Sequence, residues 1–183
     1  MFSLNEKVVY PGHGVAKISR IVEKKVAGNT IIFFELKFIN KEMTILVPVC
    51  NLETVGIRRL SSNKSIDAIF KLLSKTAEKP NNELTTGNWN KRNKEYQCKL
   101  RTGDLSEICK IYRDLKQISL HKELSFGEKN LLQETEMLLV EEIALVMHVN
   151  EEKAIEHLRS LVNDFNDASI LAKPPSQMMV SNL

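Results

Sequence analysis

The only tryptophan of the chain, Trp89, is followed by Asn90-Lys91-Arg92-Asn93-Lys94, which sets three cations beside one large flat apolar ring. Those residue types suit nucleic acid. Cations neutralise phosphates without reading sequence, and an aromatic wedge can fill the space beside an unstacked base step. The chemistry implied is binding, with no bond made or broken. A second reading stays open on pattern alone: Trp89 anchors a small helical core and the Lys/Arg run is its solvated face.

Residues for other chemistries are sparse. The sequence contains no GxxxxGK[ST] phosphate loop, no HExxH pair, no GxSxG elbow and no GxGxxG, so the reading is non-enzymatic and without a cofactor. Of the four histidines, His13 sits in a glycine turn, His121 near a helix end, and His148 and His157 on separate C-terminal segments, so no metal site is expected. Glu141-Glu142 and Glu151-Glu152 resemble paired carboxylates. Neighbours on a helix point about 100° apart, however, and a solvated face is the expectation. Cys50, Cys98 and Cys109 are odd in number and form no CxxC pair, which indicates neither a disulfide framework nor zinc. They read as reduced packing residues, with an oxidation sensor as the weaker alternative.

The elements that must position Trp89 follow from periodicity, which changes near residue 60. Before it the period is two: Ile32, Phe34, Leu36 and Phe38 alternate with Phe33, Glu35, Lys37 and Ile39, and Met43, Ile45 and Val47 with Thr44 and Leu46. Turns are expected at Pro11-Gly12-His13-Gly14, Gly28-Asn29 and Asn40-Lys41-Glu42. About five short strands in this length predict a small, strongly bent antiparallel barrel. Leu46 should point away from its core.

After Ser61 the period is helical. Ile66, Ile69, Phe70, Leu72 and Leu73 mark one helix, and residues 76–87 break the chain. Asn88 is expected to cap a second helix carrying Trp89, Tyr96 and Leu100. Asp104 with Glu107, then Ser125 with Glu128, give capping-box signals before two longer helices, and Asn150 opens a last one running to about Phe165. The expected architecture is α+β in two domains: a Tudor-like barrel over 1–60, a bundle of about five helices over 61–166, and a flexible tail over 167–183.

Charge locates the binding surface. The net charge is +3, yet residues 63–130 hold 14 Lys/Arg against 9 Asp/Glu, while residues 131–183 hold 3 against 9. A polyanion is drawn to the middle and repelled by the end. No apolar run is long enough to cross a bilayer and the N-terminus has no leader pattern, so a cytoplasmic protein is expected.

Particular residues then add a resemblance. Val8-Val9-Tyr10-Pro11-Gly12-His13-Gly14-Val15-Ala16, Thr44-Ile45-Leu46-Val47-Pro48 and Val55-Gly56-Ile57-Arg58 resemble the N-terminal module of the CarD/CdnL family of bacterial transcription regulators. The first of these also resembles the polymerase-binding module of transcription-repair coupling factors. Asn88-Trp89-Asn90-Lys91-Arg92, Gly103-Asp104-Leu105, Arg113-Asp114-Leu115 and Leu124-Ser125-Phe126-Gly127-Glu128-Lys129 continue the match in order, so it covers nearly residues 1 to 165.

The resemblance implies a barrel that docks on the β subunit of bacterial RNA polymerase, and a helical domain that touches promoter DNA at the upstream edge of the melted region. Contact would be in the minor groove and largely independent of sequence, with Trp89 at the family's wedge position and Lys91 and Arg92 at basic positions beside it. Lys94, in the same basic run, is expected as a further DNA-binding cation. The chain departs from the family pattern at Leu46, where relatives often carry arginine. Leu46 with Lys24 and Val26 is therefore expected to form a more apolar polymerase-binding patch. A monomer with no membrane or small-molecule partner is expected. A small-barrel RNA-binding or translation-associated protein, with Trp89 stacking on single-stranded bases, is the alternative.

Overall fold

The computed structural model describes residues 2–74 and 89–171, with residues 163–171 as backbone only. Five strands form one antiparallel sheet: β1 (Lys7–Tyr10), β2 (Gly14–Val26), β3 (Asn29–Phe38), β4 (Thr44–Pro48) and β5 (Arg58–Arg59), in the order β4-β3-β2-β1-β5. A 3-10 turn (Val49–Asn51) and a short helix, α1 (Leu52–Val55), join β4 to β5. The alternation read from the sequence is the one observed. Phe34, Leu36, Phe38 and Val47 are buried with Val8, Ala16 and Ile18, while Lys37 and Leu46 face outward.

The β2–β3 hairpin is longer than the barrel needs. Val26 pairs with Asn29, so its two-residue turn is Ala27-Gly28, one position earlier than expected, and both residues have positive φ. That is the mirror-image turn whose twist suits a hairpin. A register shift between Ile18 and Arg20 leaves Ser19 as the extra residue. The sheet bends there.

Five helices follow among the described residues: α2 (Asn63–Ser74), α3 (Trp89–Thr102), α4 (Leu105–His121), α5 (Phe126–Met147) and α6 (Glu151–Leu171). Ile66, Ile69 and Leu73 of α2, Tyr96 and Leu100 of α3, and Leu105, Ile108, Ile111, Tyr112 and Leu115 of α4 share one core with α5 and α6. Their spacing of three and four residues places them on single faces. Asn150 caps α6 by accepting a hydrogen bond from the Lys153 amide (3.0 Å). That helix continues to Leu171, past the expected end near Phe165, and the rest of the expected tail lies outside the described residues, as does the Asn88 cap.

The capping signals resolve differently from each other. Ser125 and Glu128 form the full reciprocal box. At Asp104 only half of it exists: the Asp104 carboxylate accepts from the Ser106 amide (2.8 Å), whereas Glu107 turns to Lys99 and Lys110. Helix geometry explains this, since Glu107 lies beside Lys110 one turn on and two ammonium groups outcompete one backbone amide.

Glu141 and Glu142 correct an expectation. They are buried in the second half of α5, where a solvated face had been expected, because α5 is packed by helices on one side and by β2 on the other. Glu142, 2% exposed, accepts a bidentate pair from Arg58 (Nη1–Oε1 2.7 Å, Nη2–Oε2 2.8 Å) and a bond from the Ser61 amide (2.8 Å). Arg58 Nε donates to the Gly103 carbonyl (2.7 Å), so one guanidinium ties β5 to α5 and to the α3–α4 turn. Glu141 accepts from the Val15 amide and lies over Gly14, where a Cβ would stand 2.1 Å from its Oε2. Only glycine admits that approach. Burial raises the Glu141 pKa above the ordinary carboxylate value, against the Val15 amide and Lys41, which lower it.

Removing one partner of a buried pair leaves the other charge uncompensated, at roughly 3–5 kcal/mol. Arg58→Ala and Glu142→Ala are each expected to destabilise the protein by about 3 kcal/mol, near the low end because Arg58 is partly exposed. Urea denaturation of both single mutants and the double mutant checks this. The double mutant should cost clearly less than the two singles added, and simple additivity would show that the residues act independently.

Candidate nucleic-acid interface

Trp89 is the first residue of α3, and its indole is half-buried against the helical core. It rests on Gly127, where a Cβ would stand 3.0 Å from Cζ2 and 3.3 Å from Cε2 and Nε1. The glycine is there for close approach. A methyl group at that position would push the ring by a few tenths of an ångström. The indole is thus neither sealed inside the bundle nor hanging free: one side is braced and another remains open.

Arg92, one turn after Trp89, carries its guanidinium carbon 5.9 Å from the ring centroid, within cation–π range. It is 8% exposed, and its Nη2 donates to Glu128 Oε1 at 2.7 Å. The structure therefore separates Arg92 from the surface cations with which the sequence grouped it. Its face of α3 turns toward α5, where a buried carboxylate holds it, so it braces the ring and is not available to a phosphate. Lys91 and Lys94 are exposed and one turn apart, on the same face.

Glu128 has three tasks. Its Oε2 accepts from the Ser125 amide and hydroxyl (both 2.9 Å), and its Oε1 accepts from Arg92 and from Lys122 (3.2 Å). Burial works against its ionisation, but the Ser125 donors and the Lys122 ammonium together hold its pKa below the ordinary 4.5. It is a charged post under the start of α5.

Sequence reasoning missed three residues here. Lys122 and Lys129 bracket the Ser125 cap and are both substantially exposed, Lys129 pairing loosely with the exposed Glu123 (2.8 Å). Phe126, the first residue of α5, is 81% exposed. The capping box was the available signal, since it fixes where α5 starts and which residues flank that start.

On the barrel, register brings the other expected residues onto one face. Arg20, Glu35 and Leu46 form one cross-strand row, Val22, Phe33 and Pro48 the next, and Lys24 with Ile31 a third. Leu46 is 37% exposed, as alternation required. Val26 shares the face but pairs with Asn29 at the hairpin tip, about 20 Å along the strands from the Leu46 row. The apolar stripe between Leu46 and Lys24 is made by Val22, Phe33 and Ile31, which had not been singled out. Arg20 closes it with a bidentate pair to Glu35 (3.0 and 2.9 Å) that holds the Glu35 carboxyl below its ordinary pKa.

The cysteines are corrected as well. Cys109 is fully buried and its thiol is pushed up to about 12 by burial, but Cys50 and Cys98 are exposed and do not pack. Among the described residues no group of three or more His, Cys, Asp or Glu could hold a metal ion, and no helix is long and apolar enough to cross a membrane.

A small open barrel clasped to a helical body, with a half-buried indole braced at the start of one helix, is a two-domain α+β arrangement. Comparison with known proteins agrees. Residues 2–61 match the family model of the CarD-like/TRCF RID domain, and residues 68–159 that of the CarD C-terminal domain. The chain is 24% identical over 153 residues to "Putative transcription factor YdeB" of Bacillus subtilis (strain 168), a match covering 84% of this chain and 97% of that protein. The chain belongs to the CarD family of transcription regulators.

The depressed pKa of Glu128 has a defined pH signature. Its folded value lies below its unfolded one, so its contribution is fully present above about pH 4.5 and is lost as pH falls through the lower folded value. Glu128→Gln should therefore lower the melting temperature most at pH 7, with the gap to wild type closing in acid. A gap that stays constant from pH 7 to pH 3 would mean that the charge is not what holds the site.

Proposed function

We propose that the barrel docks on the β subunit of bacterial RNA polymerase and that the helical domain carries Trp89 to the upstream edge of the melted promoter, stabilising the open complex. The observation that carries this reading is the indole's setting: braced on Gly127 and Arg92, partly open, and flanked by exposed Lys91 and Lys94. A ring held in this way loses little freedom on binding. It also has a surface left to offer.

The mechanism follows from differential affinity. Wedging beside a base step costs less where the duplex is already parting, so the ring binds a fork better than closed duplex and shifts the equilibrium toward the open state. Lysines supply attraction that is indifferent to sequence. Selectivity for promoters comes from the address: the barrel raises the effective concentration of the ring at one place on the polymerase. The outer face of β2, β3 and β4 supports docking, since it presents the Leu46, Phe33, Val22 and Ile31 stripe with Lys24 at its margin, and β4 is an open edge.

Trp89→Ala should shorten the lifetime of open complexes about tenfold, the size of one aromatic–base contact, while polymerase pull-down stays intact. An unchanged lifetime in a folded mutant would remove the wedge. Lys91→Ala with Lys94→Ala should weaken DNA binding and lower the slope of log K against log salt by about 2. An unaltered slope would take both lysines off the phosphates.

Leu46→Glu sets a carboxylate within the apolar stripe and directly across from Glu35. It should abolish capture of the β subunit while the helical domain retains its affinity for DNA. Retained capture would move the interface off this face.

A further inference from the structure

We propose that Phe126 is a second DNA-contacting ring, which stacks on an unpaired base of the melted strand beside the Trp89 wedge. This rests on the reading of Trp89 as a DNA-facing residue and adds to it a residue with a different task. Phe126 is 81% exposed, more than any other large apolar side chain among the described residues. Such a side chain forgoes the stabilisation that burial would bring. It is not a stray surface position either, because its neighbour Gly127 is the residue on which the indole rests.

Phe126 thus directly precedes in the chain the glycine that the indole touches, one ring at the first residue of α5 and the other at the first residue of α3. Their settings differ in a way that divides the work. Trp89 has one side against Gly127 and the core, so it is a rigid wedge with limited open surface. Phe126 makes almost no contact with the protein, so a base can cover its face. Charge at this end favours a polyanion: Lys91, Lys94, Lys122 and Lys129 are exposed, against Glu95 and Glu123. An apolar ring among cations is the pairing that holds single-stranded nucleic acid, with the ring on the base and the cations on the backbone.

At a fork both kinds of site are needed within a short distance, a distorted duplex step and the first bases freed from it. A rigid ring beside an open one meets that geometry. The occupant is thus an unpaired DNA base adjoining the step that Trp89 enters.

The test titrates the full chain with three fluorescent DNA probes of one core sequence: a blunt duplex, a fork with unpaired arms, and the same fork with abasic sites in its arms. Wild type should prefer the intact fork. Phe126→Ala should weaken fork binding about tenfold, leave the blunt duplex unchanged, and bind intact and abasic forks equally. Phe126→Tyr should retain the preference and Phe126→Leu should lose it. Folding is not at stake at so exposed a position, which a melting curve confirms.

Equal fork binding by Phe126→Ala and wild type overturns the inference, as does an equal loss on fork and blunt duplex. If Trp89→Ala weakens fork binding and Phe126→Ala does not, the inference alone falls. If wild type shows no preference for the fork and Trp89→Ala changes nothing, the underlying reading of Trp89 falls instead. Competition by an RNA of the arm sequence more effective than the forked DNA assigns the ring to RNA, and also overturns the proposal.

Discussion

The interaction on which the rest depends is the grip of Glu142 on Arg58 and the Ser61 amide. Taking a carboxylate to 2% exposure costs several kcal/mol, which the guanidinium fork and one backbone donor offset without a large surplus. Removing either partner alone would leave the other charge buried and unpaired. Arg58 spends its third donor on the Gly103 carbonyl, so only one placement of barrel, α5 and α3–α4 turn satisfies the whole set. Glu141 then secures a second point, the Val15 amide beyond Gly14. The angle of about 100° between neighbouring helix residues argued against paired-acid chemistry, and it is the same angle that lets two adjacent acids hold two different parts of the barrel.

Helix α5 is the spine of the molecule for this reason. Its second half holds the barrel through Glu141 and Glu142, and its first turn holds the Trp89 platform through Gly127 and Glu128. Glu128 and Glu142 are fourteen positions apart, about 21 Å along a straight helix. Two buried acids on one rigid element thus fix how far the indole stands from the barrel. A flexible linker would set only an average distance, and the effective concentration of the ring at its target would fall accordingly.

The fold was largely legible in the sequence because both domains follow clean periods. Ile32 to Phe38 and Thr44 to Val47 alternate by two, and Ile66 to Leu73 and Leu105 to Leu115 recur by three and four. Trp89, Lys91 and Lys94 were legible as residue types with a local spacing. The domain contact was not, since Glu141 and Glu142 become buried only where a sheet covers a helix from outside its own bundle, and no period within α5 announces that. Arg92 was hidden by the same limit: its buried partner, Glu128, lies thirty-six residues away. Gly127 looked like an ordinary residue at a helix start until an indole was placed on it.

A wedge of the proposed kind has an effect whose sign the protein does not set. Its binding energy is realised with the strands apart, so it lengthens the life of that state wherever the polymerase has melted DNA. At a promoter limited by melting, the added stability raises the yield of competent complexes. At a promoter limited by departure of the polymerase, the same contacts must be broken before escape, and the barrier rises by what they contributed. One rigid structure acting in the proposed way would then activate some promoters and slow others, and the difference would reside in the DNA.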